Sequence, residues 1–169
     1  MSDEASEDLV LGDGRLAAEV MGEPGGEHLW RCMACGTCSA GCPVREVLAE
    51  FDPRAIVRLV LLGDEGVLNA EVLWLCAGCA TCDERCPQGV HLPALITAIR
   101  NVAVRRGLSP PAIAAQVDLL RAHGRLLEVE EHNKRRAKMG LPELRNPASD
   151  YAAILEAAGL PPRNREGTP

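Results

Sequence analysis

Aromatic side chains are scarce in this sequence. Trp30, Phe51, Trp74 and Tyr151 are the only four among 169 residues, or 2% of the chain. Aliphatic residues and alanine must fill the interior instead, which suits packed helices better than a β-sandwich. Basic charge is not in surplus either. The formal net charge is −6, which argues against nonspecific nucleic-acid binding. That figure counts every cysteine as neutral, so any metal-bound thiolates would add to the negative charge. No stretch approaches the roughly 18 uninterrupted apolar residues of a membrane span, so direct membrane insertion is not expected. The opening residues hold Asp3, Glu4, Glu7 and Asp8 without an apolar run, so a secretory leader is not expected. A chain kept in the reducing cytoplasm would not use cysteines as a disulfide framework. There is also no dinucleotide glycine loop, P-loop or nucleophile elbow, and hence no sign of substrate chemistry.

What the sequence has is eight cysteines, all inside one internal repeat. Residues 30–43 read WRCMACGTCSAGCP and residues 74–87 read WLCAGCATCDERCP, without a gap, Cys76 standing 44 positions after Cys32. Each copy is C-x2-C-x2-C-x3-C-P, a bacterial [4Fe–4S] ligation spacing. Three thiolates at three-residue spacing can reach three corners of one iron–sulfur cube. The fourth, next to proline, turns away and in two-cluster ferredoxins ligates the other cube. The expected ligand sets are therefore Cys32, Cys35, Cys38 and Cys86 for the first cluster, and Cys76, Cys79, Cys82 and Cys42 for the second. Such an exchange ties the halves together and makes folding depend on the metal. Ala34, Gly36, Ala77, Gly78 and Ala80 leave room for backbone N–H groups near the cluster sulfurs. Structural zinc would want ligand pairs split by a longer loop, and a [2Fe–2S] centre matches neither the count nor the spacing.

The spacer between the motifs reads as helical. Asp52 and Pro53 form a helix start, Ile56, Val57, Val60 and Leu61 recur at helical spacing, and Gly63 is placed to end the run. A short helix is expected from about residue 69 or 70 to Trp74. After Pro87, Leu92, Leu95, Ile96, Ile99, Val102 and Ala103 trace the clearest helix, closed by Gly107. Ser109 and Pro110 are expected to cap a further helix to about His123. Residues 128–138 read as a solvated, charge-dense helix face, and a last short helix should end at Gly159. The fold expected is all-α, with loops and helices in a pseudo-twofold arrangement around two [4Fe–4S] clusters. Residues 1–27 form an N-terminal extension, disordered over about 1–12. Residues 28–108 form the dicluster domain, and 109–169 form a helical extension for partner docking with a disordered tail from 161. Trp30 and Trp74 should shield the clusters. The four histidines, His28, His91, His123 and His132, lack ligand spacing.

Two such motifs joined by a helical spacer resemble the α-helical ferredoxin fold. The phrases LWLCAGCATCDERCPQGV and LPALITAIRNVAVRRGL are similar to the C-subunit family of heterodisulfide reductase over about residues 28–108. The resemblance implies an electron-transfer subunit without catalytic residues. Its donor would be an A-type subunit with flavin and iron–sulfur centres, and its acceptor a B-type subunit with CCG motifs, where the disulfide chemistry resides. This chain has no adjacent cysteine pair to support that chemistry itself. Disulfide reduction of the methanogen kind, flavin-based bifurcation and sulfur oxidation are not separated by the resemblance. The iron–sulfur subunit of another dehydrogenase or of a quinone-linked respiratory complex is the alternative.

Overall fold

The computed structural model describes residues 14–127 and 129–160. Among them every regular element is a helix and none is a strand. The chain divides into two compact units between Leu108 and Ser109. No helix among the described residues is long and apolar enough to cross a membrane.

The first unit contains α1 (Arg15–Met21), α2 (Thr37–Ala40), α3 (Pro43–Val47), α4 (Pro53–Leu62), α5 (Gly66–Asn69), α6 (Thr81–Glu84) and α7 (Leu92–Arg105). Two 3₁₀ turns, Leu29–Arg31 and Glu71–Leu75, lead into the two cysteine motifs. The longer helices start and stop where their residues dictate. Asp52 accepts the Ala55 N–H as N-cap, Pro53 occupies the first turn, and Gly63 closes α4 with its N–H on the Leu59 and Val60 carbonyls. In α7 one stripe is fully apolar, and Leu95, Ile96, Ile99 and Val102 are withdrawn from solvent. Each such side chain contributes about 1.5–3 kcal/mol of burial free energy. Leu29, Phe51, Val57, Val60, Leu68 and Leu73 complete the core.

Helix α1 lies where the sequence pattern suggests only an N-terminal extension. Its Leu16, Ala17 and Val20 are buried in the main core, and it packs on α4 and α7. The expectations of disorder over 1–12 and 161–169 fall outside the described residues.

The second unit contains α8 (Pro111–His123), α9 (Glu130–Lys138) and α10 (Ala148–Ala157), with α8 packed on α10. Helix α8 begins at Pro111 with Pro110 before it and no side-chain cap, so Ser109 does not serve the capping role expected of it. Pro110 itself takes the N-cap position, its carbonyl accepting the Ile113 and Ala114 N–H groups, so the Ser109 hydroxyl stands one residue too early to cap. Helix α9 buries none of its residues, as a charge-dense solvated helix should. Its Glu131 faces Lys134 at 3.9 Å and Arg135 at 3.4 Å.

Candidate functional site

The two motif loops adopt one backbone conformation twice. Left-handed φ occurs at Ala34 (55°) and Gly36 (85°) in the first, and at the matching Gly78 (65°) and Ala80 (60°) in the second. Glycine and alanine exchange places between copies while the geometry stays. Alanine in this region costs roughly 1–2 kcal/mol, so the loop shape is held by what surrounds it. Each loop then enters a one-turn helix, α2 or α6, and these two helices pack on one another.

The thiols gather around two adjoining pockets. One is walled by Cys32, Cys35, Cys38, Cys82 and Cys86 and closed by Val57, Val90 and Leu92. The other is walled by Cys42, Cys76, Cys79 and Cys82 and closed by Phe51, Leu92 and Ile96. Counting the space open to solvent, they enclose about 430 and 350 Å³. Cys82 and Leu92 belong to both. Cys86, from the second motif, thus lies with three cysteines of the first, and Cys42, from the first, lies with three of the second. Pro43 opens α3 directly after Cys42, and the chain leaves each loop at that residue. Apolar walls that together carry all eight thiols, with Cys82 shared, fit two groups that each need four sulfur ligands and protection from water.

The surroundings act on the thiols in pairs. Cys35 and Cys79 are exposed. Thr37 Oγ1 lies 3.4 Å from the Cys35 sulfur, and Thr81 Oγ1 lies 3.6 Å from that of Cys79. The Thr37 hydroxyl holds the Cys35 thiol below its ordinary pKa. At Cys79 the Thr81 backbone N–H leads and the hydroxyl follows, with the same result. Cys38 and Cys82 behave oppositely. Burial pushes the Cys38 thiol up. Burial, reinforced by negative charge on Cys76, pushes Cys82 up to about 11. Thiols pressed together out of solvent resist ionisation until a cation offsets their charge. The Val90 N–H also donates to the Cys86 sulfur at 3.5 Å.

Several supporting contacts are not legible from residue types. The buried Ser39 hydroxyl donates to Asp52 Oδ1 at 2.5 Å and accepts the Arg54 N–H at 2.9 Å, while Arg45 pairs with the same Asp52 carboxylate. This links α2 to the start of α4. Asp52 is recognisable as a cap, but its second partner lies 13 residues away. Arg100 of α7 donates from Nε to the Leu73 carbonyl (3.0 Å) and from Nη2 to the Cys76 carbonyl (3.3 Å). Trp74 is half-buried under the Arg100 guanidinium, 5.5 Å from its ring centroid. Trp30 departs from expectation, being 67% exposed. The Leu29–Arg31 turn puts Leu29 into the core and directs Trp30 outward, so it does not screen the pocket. His91 is exposed and meets Asp83 at 3.0 Å, and His28 stacks obliquely on it at 5.6 Å.

Comparison with known proteins agrees on the region and the cofactor type. A family model described as a 4Fe-4S dicluster domain matches residues 28–90. The chain is 35% identical to the C2 subunit of an H2/formate:CoB-CoM heterodisulfide,ferredoxin reductase from Methanococcus maripaludis, over 73% of this chain and 67% of that one. It is 30% identical to an iron-sulfur C 2 subunit of CoB–CoM heterodisulfide reductase from Methanocaldococcus jannaschii, over 85% and 75% of the two chains. With the C subunit of a ferredoxin:CoB-CoM heterodisulfide reductase from Methanosarcina mazei it shares 33% identity, over 74% of this chain and 78% of that one.

Proposed function

Because this chain belongs to the C-subunit family of heterodisulfide reductase, a family of iron–sulfur electron-transfer components, we propose that it relays electrons from an A-type subunit with flavin and iron–sulfur centres to a B-type subunit with CCG motifs. The chain carries two [4Fe–4S] clusters, which when bound supply reversible one-electron transfer. In this reading Cys32, Cys35, Cys38 and Cys86 hold one cluster, and Cys76, Cys79, Cys82 and Cys42 hold the other. The observation that carries it is the pair of adjoining pockets: Cys86 of the second motif lies with Cys32, Cys35 and Cys38, Cys42 of the first lies with Cys76, Cys79 and Cys82, and Cys82 borders both.

The side chains supply distance, dryness and electrostatics. Val57, Phe51, Leu92 and Ile96 exclude water from the inner walls. Thr37, Thr81 and the Val90 N–H lie against ligand sulfurs, where donors stabilise added negative charge. Exposed Met33 lines the first pocket, an apolar edge where a partner's centre can approach closely. No carboxylate, histidine or nucleophile is required for chemistry, and the chain acts in the cytoplasm as one subunit of a larger oxidoreductase.

The test is anaerobic isolation of the native complex under mild conditions. A flavoprotein and a CCG-motif subunit should copurify, and flavin-reduced complex should reduce this chain's clusters within turnover time. A chain isolated free of both partners, with its clusters untouched by the reduced flavoprotein, would refute the proposal.

A further inference from the structure

We infer that Arg100 separates the reduction potentials of the two sites, raising that of the second-motif cluster by holding one half-buried positive charge against the Cys76 backbone. The inference rests on the two-cluster relay reading above.

The two copies differ here more than elsewhere. Leu29 and Leu73 occupy matching places before the first cysteine of each motif. The Leu29 carbonyl accepts the Cys32 N–H at 3.2 Å, a bond within the loop. The Leu73 carbonyl accepts Arg100 Nε instead, and the next nitrogen of the same fork reaches the Cys76 carbonyl. With Trp74 beneath it, the guanidinium is fixed by three contacts, which suits its planar shape. Arg100 also lies one turn beyond Ile96, which lines the second pocket.

Other charges do not reproduce this effect. Arg54 lines the first pocket, but its side chain is exposed, and solvent screens such a charge strongly. Asp83 and Glu84 follow Cys82 and act in the opposite direction. Asp83 is engaged with His91, and Glu84 is exposed. Arg100, by contrast, is half-buried beside the second motif, with its fork on the Leu73 and Cys76 carbonyls. Reduction adds one electron to a site, and a nearby desolvated cation favours the reduced form. An electron shared by the two sites is thereby biased toward the second motif.

The experiment is an anaerobic redox titration of the loaded protein followed by electron paramagnetic resonance. Signals are assigned with Cys79→Ser, which perturbs the second-motif cluster. Arg100→Gln should lower that cluster's midpoint relative to the other by at least a tenfold change in electron distribution, about 59 mV for one electron. Arg100→Lys keeps the charge without the fork and should move it less, and Arg54→Gln should shift the first-motif cluster by a smaller factor. Unchanged midpoints, equal falls in both, or a Lys variant as shifted as Gln would overturn the inference. If Arg100→Gln loads poorly, loss confined to the second-motif cluster supports the role at Cys76, whereas loss of both marks Arg100 as a general core residue and overturns it. A wild-type chain lacking two reducible clusters would defeat the relay reading itself.

Discussion

Arg85 lies across Gly41, and the two hold the same position in their respective copies of the repeat. A Cβ built on Gly41 would stand 2.5 Å from an Arg85 guanidinium nitrogen. Where α2 and α6 meet, one copy therefore supplies a side chain and the other supplies the space for it. Gly41 has φ −107°, open to any residue, so only the Arg85 contact opposes a larger one. That contact is the movable end of a long side chain. Gly41→Ala should accordingly destabilise by no more than about 1 kcal/mol, and Arg85→Ala should relieve that cost. Thermal unfolding of the two single variants and the double variant measures the coupling, expected at roughly 0.5–1 kcal/mol. Additive effects would show that the two residues do not share the space.

The proposed exchange of fourth ligands makes a sharper prediction. Cys86 lies in the pocket of Cys32, Cys35 and Cys38, although it belongs to the other motif. Cys86→Ser should damage the first-motif cluster and leave the second-motif signal the better preserved. Cys42→Ser should do the reverse. Iron analysis with electron paramagnetic resonance of anaerobically prepared protein decides the matter. Damage confined to the mutated cysteine's own motif would reject the exchange.

Thr37 and Thr81 offer a matched pair of potential shifts. A thiolate can only accept a hydrogen bond, so in the loaded protein each threonine hydroxyl is the donor to Cys35 or Cys79. Donors to ligand sulfur stabilise the reduced state. Thr37→Val should lower the first-motif cluster's midpoint and Thr81→Val the second's. A hydrogen bond of about 0.5–1.5 kcal/mol corresponds to at most roughly 20–60 mV for one electron. Thr→Ser should restore most of the shift. Redox titrations in which both variants move the same cluster, or neither moves any, would contradict the assignment.

Much of this arrangement is legible in the residues because it repeats. Eight cysteines at one spacing need no long-range information, and α4 and α7 announce themselves through proline starts and apolar stripes. The elements that stayed hidden depend on distant contacts. Helix α1 has seven residues, no side-chain cap and a left-handed Gly14 before it, so only its burial against α4 and α7 makes it stable. Arg100 lies outside the apolar stripe that announces α7, and its two carbonyl partners lie 27 and 24 residues earlier. Trp30 and Trp74 look alike in the repeat. One is exposed and the other is half-buried because only the second has an arginine of α7 behind it.

What anchors α1 can be separated into packing and charge. Leu16 is 2% exposed and Val20 fully buried. At the rim Arg106 pairs with Glu19 of α1 and, at 2.9 Å, with Glu65 beside α5, while Arg105 pairs with Glu23. These ion pairs lie near solvent, where such interactions contribute less than about 1 kcal/mol each and weaken with salt. Truncating Leu16 removes buried methyl groups and leaves a cavity, at a cost of about 2–5 kcal/mol. Leu16→Ala should therefore lower the denaturant midpoint of the loaded protein far more than Arg106→Ala. Raising the ionic strength should erase the Arg106→Ala difference and leave that of Leu16→Ala in place. If instead the arginine variant is the more damaging and remains so at high salt, α1 is held by its rim charges and the packing argument fails.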